Sequence, residues 1–182
     1  MDPELRPTLL KLALPLGCIV LILAISRLRR IDFKRGLGLS WPASRALFLW
    51  LAIWIAWVAA SEIVSRHFGF GAAAPWKPYA PAIVALRILA IGICGPAAEE
   101  LAVRGILFYR LRLTRLGPYG AIVLCAGAWA LMHYRYDAPT IALVFCDGLI
   151  LGLARYRSDS TVLAMILHSL GNLYSIHQSL QG

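Results

Sequence analysis

Gly95-Pro96-Ala97-Ala98-Glu99-Glu100-Leu101-Ala102-Val103-Arg104-Gly105 decides how this chain is read. The stretch sets two adjacent carboxylates and an arginine inside an apolar run. Ala90-Ile91-Gly92-Ile93-Cys94 precedes it and Ile106-Leu107-Phe108-Tyr109 follows. Ionisable groups in such surroundings cost roughly 2.5–3.5 kcal/mol each on insertion scales, so they mark pairing, chemistry or both. In a helix Glu100 and Arg104 are i and i+4 and share a face. Glu100 therefore reads as the structural carboxylate, held by Arg104. Glu99 is turned away by about 100° and has no partner in its own helix. It reads as the free carboxylate, suited to general-base work.

The rest of the composition sets the context. The chain has 182 residues, 60% of them hydrophobic, and the apolar residues come in long runs. This predicts an all-α, polytopic transmembrane helical bundle, a single membrane domain with its polar site within the bilayer. The net charge is +9. The arginines cluster between apolar runs, so membrane topology and anionic lipid explain them, and no nucleic-acid partner is expected. Cys18, Cys94, Cys125 and Cys146 all lie inside apolar runs and read as buried thiols, not as a disulfide framework.

About six spans are expected. The first runs from Leu9 to Ile25 and is read as uncleaved, since Arg27-Leu28-Arg29-Arg30 follows it in place of a small-residue cleavage site. A basic linker reaches Pro42, with Ile31, Phe33, Leu37 and Leu39 expected in the interface. The second span, Ala46 to Ile63, carries Trp50, Trp54 and Trp57, read as membrane anchors. Tyr79 to Leu113 is read as one tilted crossing in which Arg87 and Arg110 snorkel to opposite surfaces, with a kink at Pro96. Pro118 to His133, Ile141 to Ala154 and Val162 to Ile176 complete the set. Residues 1–78 form N-terminal helices with the basic linker, and residues 79–182 form the core that carries the polar groups. With the N-terminus outside, Arg27, Arg29, Arg30, Lys34, Arg35, Arg45, Arg110, Arg112, Arg115, Arg155 and Arg157 all fall inside. Only Arg6, Lys11, Arg66, Lys77, Arg87 and Arg135 fall outside, as the positive-inside bias favours.

Hairpin arithmetic then brings polar residues to shared depths. Glu100 lies 16 residues before Leu116, and His133 lies 16 after Gly117. Asp147 lies 10 before Arg157 and His168 lies 10 after Ser158, which pairs those two in depth. His168 and Asn172 share one helical face. Each group alone has a structural reading: a Glu–Arg brace, an interfacial histidine beside Tyr134, Arg135 and Tyr136, a histidine that bonds a neighbouring helix. Together, on several helices, they read as a catalytic site or an ion path.

Glu99-Glu100-x-x-x-Arg104, Trp129-x-x-x-His133 and His168-x-x-x-Asn172, in that order, resemble the three motifs of the CPBP family. These are the CAAX-protease and bacteriocin-processing (Abi) intramembrane proteases, which include the type II CAAX prenyl endopeptidases. The resemblance covers about Ala80 to Gln178. The family's second motif usually begins with Phe, where this chain has Trp129. The resemblance implies a glutamic-type endopeptidase in which Glu99 and His133 activate water and His168 and Asn172 stabilise the oxyanion. Glu100 and Arg104 would brace the helix. Asp147 is not a motif residue; its supporting role, orienting His168, rests on the depth argument. The resemblance implies no required cofactor. Ligand chemistry would still let Glu99, His133 and His168 hold a zinc ion.

The implied substrate is a membrane-associated protein or peptide cut near its C-terminus or membrane anchor, met in the lipid bilayer. The implied location is the bacterial inner membrane, and processing of exported proteins suits the topology. Two other classes stay open: a non-proteolytic bacteriocin-immunity or scaffold protein, and an ion or proton carrier.

Overall fold

The computed structural model describes residues 3–71, 75–76 and 78–181. Lys77, counted in the sequence reading, lies outside the described residues. Among the described residues the fold is all-helical. The helices are α1 (Leu5–Leu28), α2 (Ser44–Phe68), α3 (Pro81–Leu111), α4 (Gly117–Met132), α5 (Ala138–Ser158) and α6 (Thr161–Gln181).

Local chemistry sets several of these bounds. Pro81 opens α3 at a position where a missing N–H costs nothing. Gly69 closes α2 with φ +70°, and its N–H bonds back to the Ser65 carbonyl. Asp137 caps α5: its Oδ1 accepts from the Thr140 N–H at 2.8 Å, and this bond holds the carboxyl below its ordinary range.

Four helices, α1, α2, α3 and α5, are long and apolar enough to cross a membrane. This makes the chain an integral membrane protein. The count is narrower than the six spans expected from sequence. Helix α4 is apolar but has only 16 residues, and α6 has the length but carries His168, Asn172, His177 and Gln178. Helix α6 packs against α2, α3 and α5, so His168 and Asn172 have a protein interior to face, whereas His177 is exposed.

Two sets of tertiary bonds define the ends of the bundle. At one end the linker after α1 is tied to the α5–α6 turn. The Thr161 N–H donates to the Gly38 carbonyl at 2.8 Å, the Thr161 hydroxyl donates to the Leu37 carbonyl, and the Ser160 hydroxyl donates to the Ser40 carbonyl at 2.6 Å. Arg112 reaches Asp159 at 3.7 Å at the same end. At the other end Arg87 donates to Glu4 at 2.9 Å, and the Trp76 N–H donates to the Ser179 carbonyl at 2.9 Å. The first end gathers most of the arginines.

Three expectations are corrected here. Arg87 does not snorkel. It is 8% exposed, because Thr8 of α1 and Glu4 just before that helix accept from its guanidinium and the Tyr79 ring centroid lies 4.1 Å from it. The linker does not lie along the interface: Leu37 is fully buried against Ile22 and Leu101, and Ile31, Phe33 and Leu39 pack around that cluster. Gly38 makes this approach feasible. Its φ is +69°, and a Cβ there would sit 2.5 Å from the Arg155 guanidinium carbon. Of the tryptophans read as anchors, Trp54 is buried in the main core and Trp50 and Trp57 pack against it. Belt tryptophans sit near helix ends, whereas Trp54 and Trp57 are near the middle of α2.

Helix α3 holds the distinctive backbone. It widens into π-helical turns over Ile88–Cys94 and Leu101–Leu107, on either side of the α-helical Gly95–Glu100. Pro96 accounts for the first. It has no N–H to donate, and the Gly95 N–H goes to the Ala90 carbonyl, five residues back. The disturbance expected at Pro96 thus takes the form of a wide turn.

The buried linker is testable. Leu37→Ala should destabilise the protein by about 2–5 kcal/mol, the usual cost of emptying a filled core position. Thermal unfolding in detergent would read this; an unchanged transition would place Leu37 outside the core.

Candidate active site

The site is built around Glu100, which is fully buried together with Arg104. Arg104 Nη1 donates to Glu100 Oε1 at 3.0 Å, and its Nη2 donates to the Gly148 carbonyl at 3.1 Å. Gly148 permits that contact. A Cβ there would lie 2.9 Å from Ala126 and 3.4 Å from Arg104 Nη2, so only glycine lets α5 come so close to α4. His168 is 6% exposed, and its Nδ1 lies 2.9 Å from the same Glu100 oxygen. A carboxylate only accepts, so Nδ1 carries the proton and Nε2 is the ring's variable nitrogen.

Trp129 on α4 is the second hub. Its indole N–H donates to Glu99 Oε2 at 2.8 Å, while its backbone carbonyl lies 3.0 Å from His133 Nδ1. A carbonyl also only accepts, which puts the His133 proton on Nδ1 and leaves Nε2 with a lone pair in the neutral ring. The Trp129 ring meets the His133 and His168 rings edge-on, each with centroids 5.1 Å apart. The Arg104 guanidinium lies 4.9 Å from its centroid.

Asn172 completes the arrangement through the π turn. With Gly95 bonded to Ala90 and no N–H on Pro96, the Ile91 carbonyl has no donor inside its own helix. Asn172 Nδ2 supplies one at 2.9 Å. One amide proton of Asn172 is thereby used and the other remains.

All these groups surround one cavity of ≈460 Å³ between α2, α3, α4, α5 and α6. Glu99, Trp129, His133, Asp147, His168 and Asn172 line it, along with Ile91 and Trp54. Gly71, Trp76, Tyr136 and Ser179 line it too, so it reaches the end of the bundle opposite the arginine-rich end. Glu100 and Arg104 stand behind the wall.

The residues proposed from sequence thus share one region, with one pairing revised. The bond expected between Asp147 and His168 does not form. His168 Nδ1 is taken by Glu100, and Asp147 accepts from the indole N–H of Trp57. Trp57, Trp54 and the Ile91 carbonyl are the elements that sequence reading missed. Mid-helix placement was a signal for the two tryptophans. The Ile91 carbonyl follows from Pro96, but only once the turn geometry is known. Zinc fits poorly, since no three His, Cys, Asp or Glu side chains among the described residues converge as a metal site. Glu99 is turned to Trp129, and both histidines have Nδ1 committed to protein oxygens.

The type II CAAX prenyl endopeptidase Rce1-like family profile matches residues 80–174, more than half of the chain. The chain belongs to this family. The match spans α3, α4, α5 and most of α6, which carry Glu99, Glu100, Arg104, Trp129, His133, Asp147, His168 and Asn172. Helices α1 and α2 lie outside it. Comparison with curated proteins and with solved structures returns no significant match. Membership of the Rce1-like family makes the chain a CAAX-type intramembrane protease in general terms.

The Glu100–Arg104 pair has a direct stability test. Arg104→Ala strands a buried carboxylate, and the expected loss is about 3–5 kcal/mol. Thermal unfolding of the purified variant in detergent checks this. A melting point within a degree or two of wild type would remove the pair's structural role.

Proposed function

We propose that this chain is an intramembrane endopeptidase that hydrolyses a peptide bond near the C-terminus or membrane anchor of a membrane-associated protein. The observation that carries this reading is the shared cavity: Glu99 and His133, both fixed by Trp129, open onto the same space as His168 and Asn172.

Water enters from the cavity mouth. Glu99, with the lone pair of His133 Nε2, takes a proton from that water as its oxygen bonds the scissile carbonyl carbon. The carbonyl oxygen becomes an oxyanion. Asn172 stabilises it through its remaining amide proton, and His168 through Nε2–H in its protonated form. The C–N bond then breaks, and the proton held by the Glu99–His133 pair passes to the leaving amine. Glu100 and Arg104 do not touch substrate. They hold His168 and fix α3 so that Glu99 faces the cavity while Glu100 faces the core. No cofactor enters this scheme.

The arginine-rich end belongs on the cytoplasmic side by the positive-inside rule. In a six-span reading both termini then lie outside, and the cavity mouth opens outward. That suits a bacterial inner-membrane enzyme that processes exported proteins.

Two measurements test this. Membrane and secreted proteomes would be compared between cells making wild-type protein and cells making Glu99→Gln at equal levels. Loss of a general base lowers the rate by about 10²–10⁴-fold, so specific proteins should keep an uncut tail only in the variant. Identical proteomes would end the peptidase reading. Separately, protease-cleavable tags at the two termini should both be cut from outside intact spheroplasts. Protection of both would invert the orientation and point the cavity at the cytoplasm.

A further inference from the structure

Trp54 lies in the middle of α2, outside the part of the chain that the family profile matches. It is 5% exposed and lines the cavity. Its Nε1 is buried and has no hydrogen-bond partner among the described residues. An indole N–H can only donate, and buried tryptophans usually find an acceptor. Its neighbour three residues on does so, since Trp57 donates to Asp147, a residue that lines the same cavity. Apolar packing alone leaves this orphan donor unexplained.

The surroundings of Trp54 hold it in place. A Cβ on Gly171 would lie 3.1 Å from Trp54 Cζ2 and 3.8 Å from Nε1, so the indole edge packs directly over a glycine on α6. Gly171 adjoins Asn172 and follows His168 by less than one helical turn. The orphan N–H therefore sits beside the residues assigned to the scissile carbonyl. The donors there are already partly spent: one Asn172 proton goes to the Ile91 carbonyl and His168 Nδ1 faces Glu100. Among the described residues no lysine or arginine lines the cavity to supply another. An extended peptide entering it brings what is lacking, because an unpaired backbone has one carbonyl acceptor per residue.

We propose that the Trp54 indole N–H is a substrate-binding donor that takes a backbone carbonyl of the peptide lying in the cavity. This rests on the peptidase reading above. It assigns α2 a part in substrate binding, and it gives the glycine at 171 a purpose: a side chain there would displace the indole.

Trp54→Phe keeps an aromatic ring at the position but removes the pyrrole half of the indole together with its N–H. The probe is a tail-bearing protein that accumulates uncut under Glu99→Gln, assayed with full-length enzyme in membrane vesicles. The expected result is a KM raised about five- to tenfold, the size of one hydrogen bond, with kcat within about twofold. The melting point should fall whatever the role of the N–H, because the smaller ring leaves a cavity in the core, so KM is the deciding readout. A tryptophan with a packing role alone would show the same lowered melting point and an unchanged KM. If Trp54→Phe does not fold, Gly171→Ala carries the test. Its methyl group pushes the indole aside, and KM should rise in the same direction. An unchanged KM in the folded variant overturns the assignment and leaves the Glu99→Gln result standing. If Glu99→Gln leaves no protein uncut, the peptidase reading falls and this one falls with it.

Discussion

One carboxylate oxygen, Oε1 of Glu100, organises the bundle. It receives Arg104 from its own helix and His168 from α6, and Arg104 extends the contact to the Gly148 carbonyl on α5. Three helices therefore meet at a buried charge that has left water. A lone buried carboxylate would be very costly, and a partner removed would be costlier than a partner never present. This is a device for specificity more than for net stability. Alternative packings of apolar helices are close in energy, and an arrangement that separated these groups would leave a bare charge in the core.

The backbone of α3 solves a second problem. Adjacent residues on a regular helix point about 100° apart, which suits one carboxylate for the core and one for the cavity. The wide turns on either side of Gly95–Glu100 let this short α-helical piece take its own phase relative to the rest of the rod. The orphaned Ile91 carbonyl becomes the point where α6 fastens, through Asn172. A helix irregularity and an interhelical bond are thus one feature. Asn172 fastens α6 to α3 at Ile91 as His168 does at Glu100, and the two fastenings lie one turn apart on α6.

Much of this was legible in the sequence. The i, i+4 spacing of Glu100 and Arg104 gave their pairing, and apolar run lengths gave the helices to within a few residues at most ends. Counting from the turns put Glu100 and His133, and Asp147 and His168, at similar depths. Depth is one coordinate only. It does not fix rotation about the helix axis, so it paired Asp147 with His168 when each had a better partner on another face, Trp57 and Glu100. The same lack of rotational information hid the inward face of α2. Tryptophan suits both a lipid headgroup belt and a protein interior, and only position along the helix separates the two. Arg87 was misread because its acceptors, Glu4 and Thr8, lie about 80 residues earlier, beyond any local pattern. The number of spans is the remaining difference. Hydropathy averages over the whole helix, and α6 scores as polar in part because it turns His168 and Asn172 towards its neighbours.

The tied linker at the arginine-rich end bears on how the membrane stays electrically sealed. Leu37 plugs the space between α1, α3 and the start of α6, and the linker backbone is bonded across to Ser160 and Thr161. Among the described residues, none of those lining the cavity comes from that end. The water space is therefore a blind well. Hydrolysis needs water deep among the helices, and a hole running from face to face would let protons and ions drain the potential across the bilayer. A well open at one end admits water and peptide while leaving the insulating layer intact beneath it. Such a shape fits a hydrolase and suits an ion carrier badly, because a carrier must expose its polar groups to both sides in turn.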